Sequence, residues 1–210
     1  MDQDSPHIPL RERKKQQTRL AISRAATTLF LDRGFDEVSV AEVAHAAGVS
    51  KMTVFNYFPR KEELLFDRVP EVTGLLAGAV AGRAPGSSPL DALRRLMHGL
   101  AEQGHPLTGF GENIAVFWRT VLDSAALRGF VREAAEELER GLAEQLAAEP
   151  GADPLRARFT ASLGMAAIRT VFTTTARRIL AGEPSAAVAA DHAALVDRAF
   201  AAVEQARKAF

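Results

Sequence analysis

The chain has 210 residues, 47% of them hydrophobic, enough to bury a sizeable core in one large domain or in a small domain plus a larger one. It has no cysteine, which excludes disulfides and thiolate metal sites, and no apolar run approaching the roughly 18 residues that cross a bilayer. Lys and Arg number 26 against 26 Asp and Glu, and this zero balance argues, taken alone, against a nucleic-acid partner.

The distribution of charge argues the other way. Residues 11–68 hold eleven Lys and Arg against eight Asp and Glu, a net of +3, while residues 69–210 hold fifteen against sixteen. Arg11, Arg13, Lys14, Lys15, Arg19 and Arg24 face only Glu12 in their stretch, a basic entry suited to phosphates and equally to a solvated helix start. Residues 1–10, with two prolines and two aspartates, read as a flexible tail, and residues 1–9 lack the apolar core of a signal peptide. A soluble, cytoplasmic protein is expected.

A first helix is predicted from about Lys14 to Arg33, with Ile22, Ala25, Ala26, Leu29 and Phe30 at helical spacing and Gly34 as its stop. Ser39 followed by Glu42 forms a capping box that opens a short helix with Val40, Val43, Ala44 and Ala47 on one face. Gly48 ends it, and Ser50 caps another helix over residues 51–57. A connection of about three residues between two short helices is the helix-turn-helix arrangement. Val54 and Phe58 point inward with Val49, leaving Lys51, Met52, Thr53, Phe55, Asn56 and Tyr57 outward. That outer face has no carboxylate. Asn can pair with adenine, a Thr methyl can meet a thymine methyl, and Lys, Thr and Tyr can reach phosphate oxygens. An ordinary helical hairpin with a sparsely charged face is the alternative. Pro59 breaks the chain, and a fourth helix is predicted from near Arg60, its free amides and Lys61 open to a phosphate and Pro70 kinking or splitting it.

Residues 17–65 resemble the N-terminal domain of TetR-type transcriptional regulators. The resemblance is carried by Asp-Arg-Gly-Phe at 32–35, Ser-Val-Ala-Glu-Val-Ala from Ser39, Ala-Gly-Val-Ser-Lys ending at Lys51, Thr-Val-Phe-Asn-Tyr-Phe from Thr53, and Arg-Lys-Glu-Glu-Leu-Leu from Arg60. It implies base-facing roles for Lys51, Met52, Thr53 and Asn56 and phosphate contacts from Ser39, Phe55, Tyr57 and Lys61; Ser50, at the start of the recognition helix, is grouped with them. Phe55 stands where such regulators usually carry a tyrosine whose hydroxyl reaches phosphate, and Tyr57 where they usually carry histidine. Phe55 therefore packs on sugar or a thymine methyl, or turns inward.

Residues 82–88 read as a loop, after which Ser88 and Pro89 start a helix bearing Leu90, Leu93, Leu96, Met97 and Leu100. Further helices are predicted over about 111–124, 127–148, 154–181 and 186–208, the last two with broad apolar and alanine-rich faces. The expectation is an all-α chain: a tail over 1–10, a three-helix helix-turn-helix domain over 11–66, and a helical bundle over 67–210 for ligand binding and dimerisation. The resemblance implies a homodimer through the helices at about 154–181 and 186–208, reading an inverted-repeat DNA operator, with no membrane association. Met97, Phe110, Asn113, Phe117, Trp118, Met165, Arg169 and Phe172 are candidates for a small-molecule effector site, the alternative for the large apolar ones being plain core. Arg169, amid Ala166, Ala167, Ile168, Val171 and Phe172, must pair, reach solvent or bind a ligand.

Enzymatic chemistry finds little support. His98, Glu102 and His105 could share a metal only if Gly104 and Pro106 did not break the helix, and Gly109-Phe-Gly-Glu-Asn lacks both a preceding strand and a third glycine. No cofactor is expected. A repressor released by an apolar or amphipathic ligand, an activator or co-effector-dependent regulator, and a non-specific architectural dimer remain the readings in order.

Overall fold

The structure is a computed structural model that describes residues 9–111 and 113–209. Its described residues form nine α-helices and two short 3-10 turns, with no strand among them. They divide into two compact units, one ending at Asp67 and the other running from Arg68. Of the expected tail, residues 1–8 lie outside the described residues. Pro9 and Leu10 instead begin a helix, whose first interior amide bond runs from Arg13 N to Pro9 O at 3.1 Å.

The N-terminal unit contains α1 (Leu10–Arg33), α2 (Val40–Ala46) and α3 (Lys51–Tyr57), followed by a 3-10 turn at Glu62–Leu64. Helix α1 starts one turn before Lys14 because Leu-Arg-Glu-Arg are good helix formers and Pro9, just outside, needs no amide partner. Ile22, Ala26 and Phe30 of α1 are fully buried, as are Val43 of α2 and Val54 of α3. Phe35, Val38, Phe58 and Leu64 complete this core, each fully buried large apolar side chain contributing roughly 1.5–3 kcal/mol. Gly48, at φ 66°, makes the turn between α2 and α3 in a conformation that L side chains rarely adopt.

The fourth helix departs from expectation. The chain after Pro59 makes only the 3-10 turn, and α4 (Val69–Ala81) starts afresh with Pro70 in its first turn. There the missing N–H of proline is no loss, so Pro70 starts the helix and does not kink it. The amides of Glu63, Leu64 and Leu65 donate to the carbonyls of Arg60, Lys61 and Glu62 in a 3-10 pattern, so the α-helix predicted from near Arg60 does not form there.

The C-terminal unit comprises α4, α5 (Pro89–Glu102), a 3-10 turn at Pro106–Thr108, α6 (Ile114–Asp123), α7 (Ala125–Ala147), α8 (Pro154–Leu180) and α9 (Ser185–Ala209). Ser88, Ser124 and Asp153 cap α5, α7 and α8 by accepting from the amides of Leu90, Leu127 and Leu155. Helix α8 lies at the centre, packed against α5, α6, α7 and α9. Its Ala157, Ala161, Met165, Ile168 and Val171 share one core with Leu90, Leu93 and Met97 of α5, Leu142 and Leu146 of α7, and Val196 and Phe200 of α9. Helix α6 begins at Ile114, three residues later than predicted, because Asn113 before it takes a left-handed conformation at φ 58°.

Candidate nucleic-acid interface and effector region

The two short helices of the N-terminal unit are held by local chemistry. Ser39 Oγ accepts from Glu42 N at 3.2 Å, and Glu42 Oε2 accepts in return from Ser39 N and Ser39 Oγ, each at 2.8 Å. Arg33 Nη1 adds an ion pair to Glu42 Oε1 at 2.8 Å. The Ser39 amide and hydroxyl, then Arg33, hold the Glu42 carboxyl from 4.5 down to about 2. At α3, Ser50 Oγ accepts from Thr53 N at 3.0 Å and shares a 2.8 Å hydrogen bond with Thr53 Oγ1. Ser39 and Ser50 are thus caps first. A phosphate at either hydroxyl has to compete with, or extend, a bond that already exists.

Helix α3 splits by face. Val54 and Phe58 are buried, while Lys51, Met52, Phe55 and Asn56 are exposed and Thr53 and Tyr57 half-buried. Met52 is 70% and Phe55 39% exposed, two large apolar side chains on the outer face of a capped helix. Phe55 is turned outward, with the Lys51 ammonium 5.8 Å from its ring centroid. Of its two predicted placements, the inward one is not taken.

Lys61 requires correction. It does not project from a helix N-terminus: Nζ donates to Phe35 O at 2.6 Å and lies 4.2 Å from the Phe35 ring centroid and 5.6 Å from that of Phe30. Burial pushes its pKa below the usual lysine range, against the opposing pull of Asp36 and Glu62. The reason is the 3-10 turn, which leaves Lys61 beside the end of α1 where a free carbonyl and two ring faces compete successfully for the ammonium.

Arg19 plays a part that the sequence did not disclose. Grouped with the basic entry, it instead donates to Tyr57 O at 3.0 Å and Asp67 O at 3.1 Å, with its guanidinium carbon 4.3 Å from the Phe58 ring centroid. Beside it, Ser23 Oγ donates to Asp67 Oδ2 at 2.6 Å. Arg19 therefore ties α1 to the C-terminus of the recognition helix, satisfying a carbonyl that the end of α3 leaves open. The signal was present: Arg19 continues the stripe of Ser23, Ala26 and Phe30 one turn toward the N-terminus. Arg11, Arg13, Lys14, Lys15 and Arg24 are exposed.

In the C-terminal unit the effector candidates scatter. Met97 and Met165 are buried in the common core. Asn113 and Arg169 are exposed, so of the three fates open to Arg169 solvent is the one it meets, on the side of α8 opposite Ile168 and Val171. The aromatic candidates do converge. The Phe117 and Trp118 rings stand edge-to-face at 5.4 Å. Gly109 (φ 79°) comes so close to Trp118 and Phe172 that a Cβ there would meet both at 3.3 Å, and Trp118 Nε1 donates to Gly109 O at 3.3 Å. Phe110 stands edge-on to His192, a residue absent from the sequence-derived set, at 5.0 Å. A surface groove lined by Ala79, Gly82, Arg83, Ala92, Arg95 and Leu96 includes none of the eight candidates. His98 and His105 do not meet: His98 pairs with Asp197 at 2.8 Å and His105 with Glu71 at 3.1 Å.

Comparison with known proteins agrees with this geometry. The family described as "Bacterial regulatory proteins, tetR family" matches residues 22–67, the span from mid-α1 to the end of the N-terminal unit. The HTH-type transcriptional regulator TcmR of Streptomyces glaucescens is 30% identical over 174 residues, covering 80% of this chain and 77% of that protein. The HTH-type transcriptional repressor LfrR of Mycolicibacterium smegmatis is 33% identical over 91 residues, 43% of this chain and 47% of LfrR. Among solved structures, native NalD, the secondary repressor of the MexAB-OprM multidrug efflux pump in Pseudomonas aeruginosa, shares the fold at a TM-score of 0.55 and 22% identity, covering 88% of this chain and 96% of that one. No described helix is long and apolar enough to cross a membrane. With a helix-turn-helix in place and a relative matched across both units, the chain belongs to the TetR family and is a DNA-binding transcriptional regulator, not an enzyme.

Proposed function

We propose that the protein is a homodimeric repressor that holds an inverted-repeat operator through Lys51, Met52, Thr53 and Asn56 on base edges and Ser39, Ser50, Phe55 and Tyr57 on the backbone, and that a small apolar or amphipathic ligand in the C-terminal unit releases it. The observation that carries the DNA contacts is the outer face of α3. An amide, a thioether, a ring and an ammonium are exposed together on a helix whose start is capped and whose end is tied to α1, a rigid support for base reading. Repression is favoured by the printed roles of LfrR and NalD.

Dimerisation through α8 and α9 is supported by the outer side of α9, where Ala186, Ala190, Ala193, Ala194 and Ala201 are exposed. Small side chains let another helix approach closely, and a twofold pairing presents two copies of α3 to successive major grooves. Release needs only a ligand that prefers the arrangement in which those helices no longer match the grooves. A hundredfold loss of affinity corresponds to a preference of about 2.7 kcal/mol.

The test is selection of binding sequences from a random duplex pool, followed by anisotropy titrations with the native chain and Asn56→Ala. The expected consensus is an inverted repeat with half-sites about one helical turn apart. Asn56→Ala should weaken consensus binding by about 1–3 kcal/mol and leave scrambled DNA nearly unchanged. A pool that enriches no symmetric sequence, or an Asn56→Ala protein that discriminates as well as the native one, would sink the operator reading.

A further inference from the structure

Three buried polar side-chain atoms of the C-terminal unit have no hydrogen-bond partner among the described residues: Thr175 Oγ1 and both ring nitrogens of His192. Thr175 is fully buried and His192 is 1% exposed. Native proteins rarely leave such groups unpaired, because each has given up water without replacement.

Neither case is explained by its helix. In α8, Thr160, Thr170 and Thr173 each donate to the carbonyl four residues back, at 2.8 Å. Thr175 makes no such bond, so its hydroxyl is turned away from the partner that its neighbours use. On α9, Asp197 accepts from Arg94 Nε at 2.8 Å and pairs with His98 at 2.8 Å, while His192, on the same helix, receives no carboxylate. Burial and the nearby His98 push the His192 pKa down, leaving a neutral imidazole with one donor and one acceptor. The two residues stand at similar heights in the α8–α9 hairpin: Thr175 is five residues from the end of α8 and His192 seven from the start of α9, about 7.5 and about 10.5 Å along their axes.

Residues 109–111 lie across these helices. Gly109 rests on Phe172 and Trp118, Phe110 on the His192 ring, and Gly111 N donates to Ser185 Oγ at 3.1 Å. Trp118 Nε1 adds a second attachment by donating to Gly109 O at 3.3 Å. The segment thus covers the imidazole with a ring while supplying it no hydrogen bond.

We propose that Thr175 and His192 are the polar end of the effector site, that residues 109–111 are its cover, and that the ligand is an uncharged, largely aromatic molecule bearing a hydroxyl or carbonyl group. The inference rests on the reading of the C-terminal unit as the effector-binding unit. A ligand hydroxyl can donate to one of the two residues and accept from the other. Neither offers a charge to balance a carboxylate or ammonium, which would be buried unpaired. Phe110, Phe172 and Trp118 supply the flat apolar contact that such a body needs.

The test is equilibrium dialysis of the full chain, of Thr175→Val and of His192→Leu against 2-naphthol, naphthalene and 2-naphthoate, with thermal melts of each ligand-free protein. Thr175→Val keeps the side-chain shape and removes only the hydroxyl, so it remains informative if His192→Leu misfolds. Each substitution should cut 2-naphthol affinity about tenfold, leave naphthalene unaffected, and raise the melting temperature of the free protein because an unpaired polar group is gone. Binding of 2-naphthol that is undetectable in the native chain, equal in native chain and Thr175→Val, or weaker than that of 2-naphthoate overturns the proposal, as does a lower melting temperature for Thr175→Val. A native chain that binds 2-naphthol through these residues yet stays on its operator keeps this inference and loses the release mechanism. A chain released by compounds that Thr175→Val binds equally well keeps the mechanism and loses the inference.

Discussion

Both units tie part-buried polar side chains to partners distant in sequence, but only the C-terminal unit also leaves buried ones without a partner among the described residues. In the N-terminal unit Arg19 is spent on Tyr57 O and Asp67 O, Ser23 on Asp67, and Lys61 on Phe35 O, each joining segments distant in sequence. In the C-terminal unit Thr175 and His192 are buried with no hydrogen-bond partner among the described residues. A base-reading helix gains from being fixed before DNA arrives, since every degree of freedom left in it is lost again on binding. An effector unit gains from the reverse, because polar groups already satisfied have nothing left to offer a ligand. The contrast teaches that buried polar atoms in one small chain can be mortar in one place and a vacancy for chemistry in another, and that only the partner count separates them.

The contrast breaks most directly through the N-terminal core. Phe30 is fully buried and its ring centroid lies 4.9 Å from that of Phe35 at a tilt of 58°, so Phe30→Ala should cost roughly 3–5 kcal/mol and abolish DNA binding with it. Urea unfolding measures the first and anisotropy the second. A loss below about 1 kcal/mol would mean that this unit is loosely packed and that its rigidity has been overstated.

Lys61→Met sharpens the comparison with a smaller effect. It keeps the apolar stem against Phe30 and Phe35 and removes the donor to Phe35 O, at an expected cost of about 1–2 kcal/mol. Because the ammonium is engaged inward, the salt dependence of DNA affinity should keep its slope. A slope lower by about one phosphate contact would show that Lys61 leaves Phe35 to meet the backbone of DNA.

What the sequence disclosed and what it hid follow one rule, the span of the interaction. The caps at Ser39, Ser50 and Ser88 were legible because donor and acceptor lie two or three residues apart. The inward pair Val54 and Phe58 was legible from helical spacing. For Lys61 the acceptor, Phe35 O, lies 26 residues away and left no trace in local spacing; for Arg19 the stripe with Ser23, Ala26 and Phe30 marked the inward face but not the acceptor, Tyr57 O, 38 residues away. Pro70 was read as kinking or splitting a helix begun at Arg60; the stretch is split, into a 3-10 turn and α4, and in a helix begun at Val69 the same proline is an ordinary first-turn residue. Thr175 and His192 carry no sequence signal at all, since periodicity predicts burial and not partnership.

The smallest effect tests the capping box, the most local of these devices, through pH. Glu42 has a folded pKa of about 2 against 4.5 for the free side chain, lowered chiefly by the Ser39 amide and hydroxyl and then by Arg33. A carboxyl depressed in this way binds its proton more readily in the unfolded chain, so it contributes stability above pH 4.5 and loses that contribution as pH falls toward about 2. Gln at the same position retains an acceptor for the Ser39 amide but has no charge to lose. The melting temperature of Glu42→Gln should therefore lie below that of the native chain at neutral pH, with the gap closing across that acid window. Because Glu42 is solvent-exposed the gap should be small and should shrink further in high salt. A gap that is constant with pH would mean that the carboxylate charge contributes nothing and that the hydrogen bonds alone hold the start of α2.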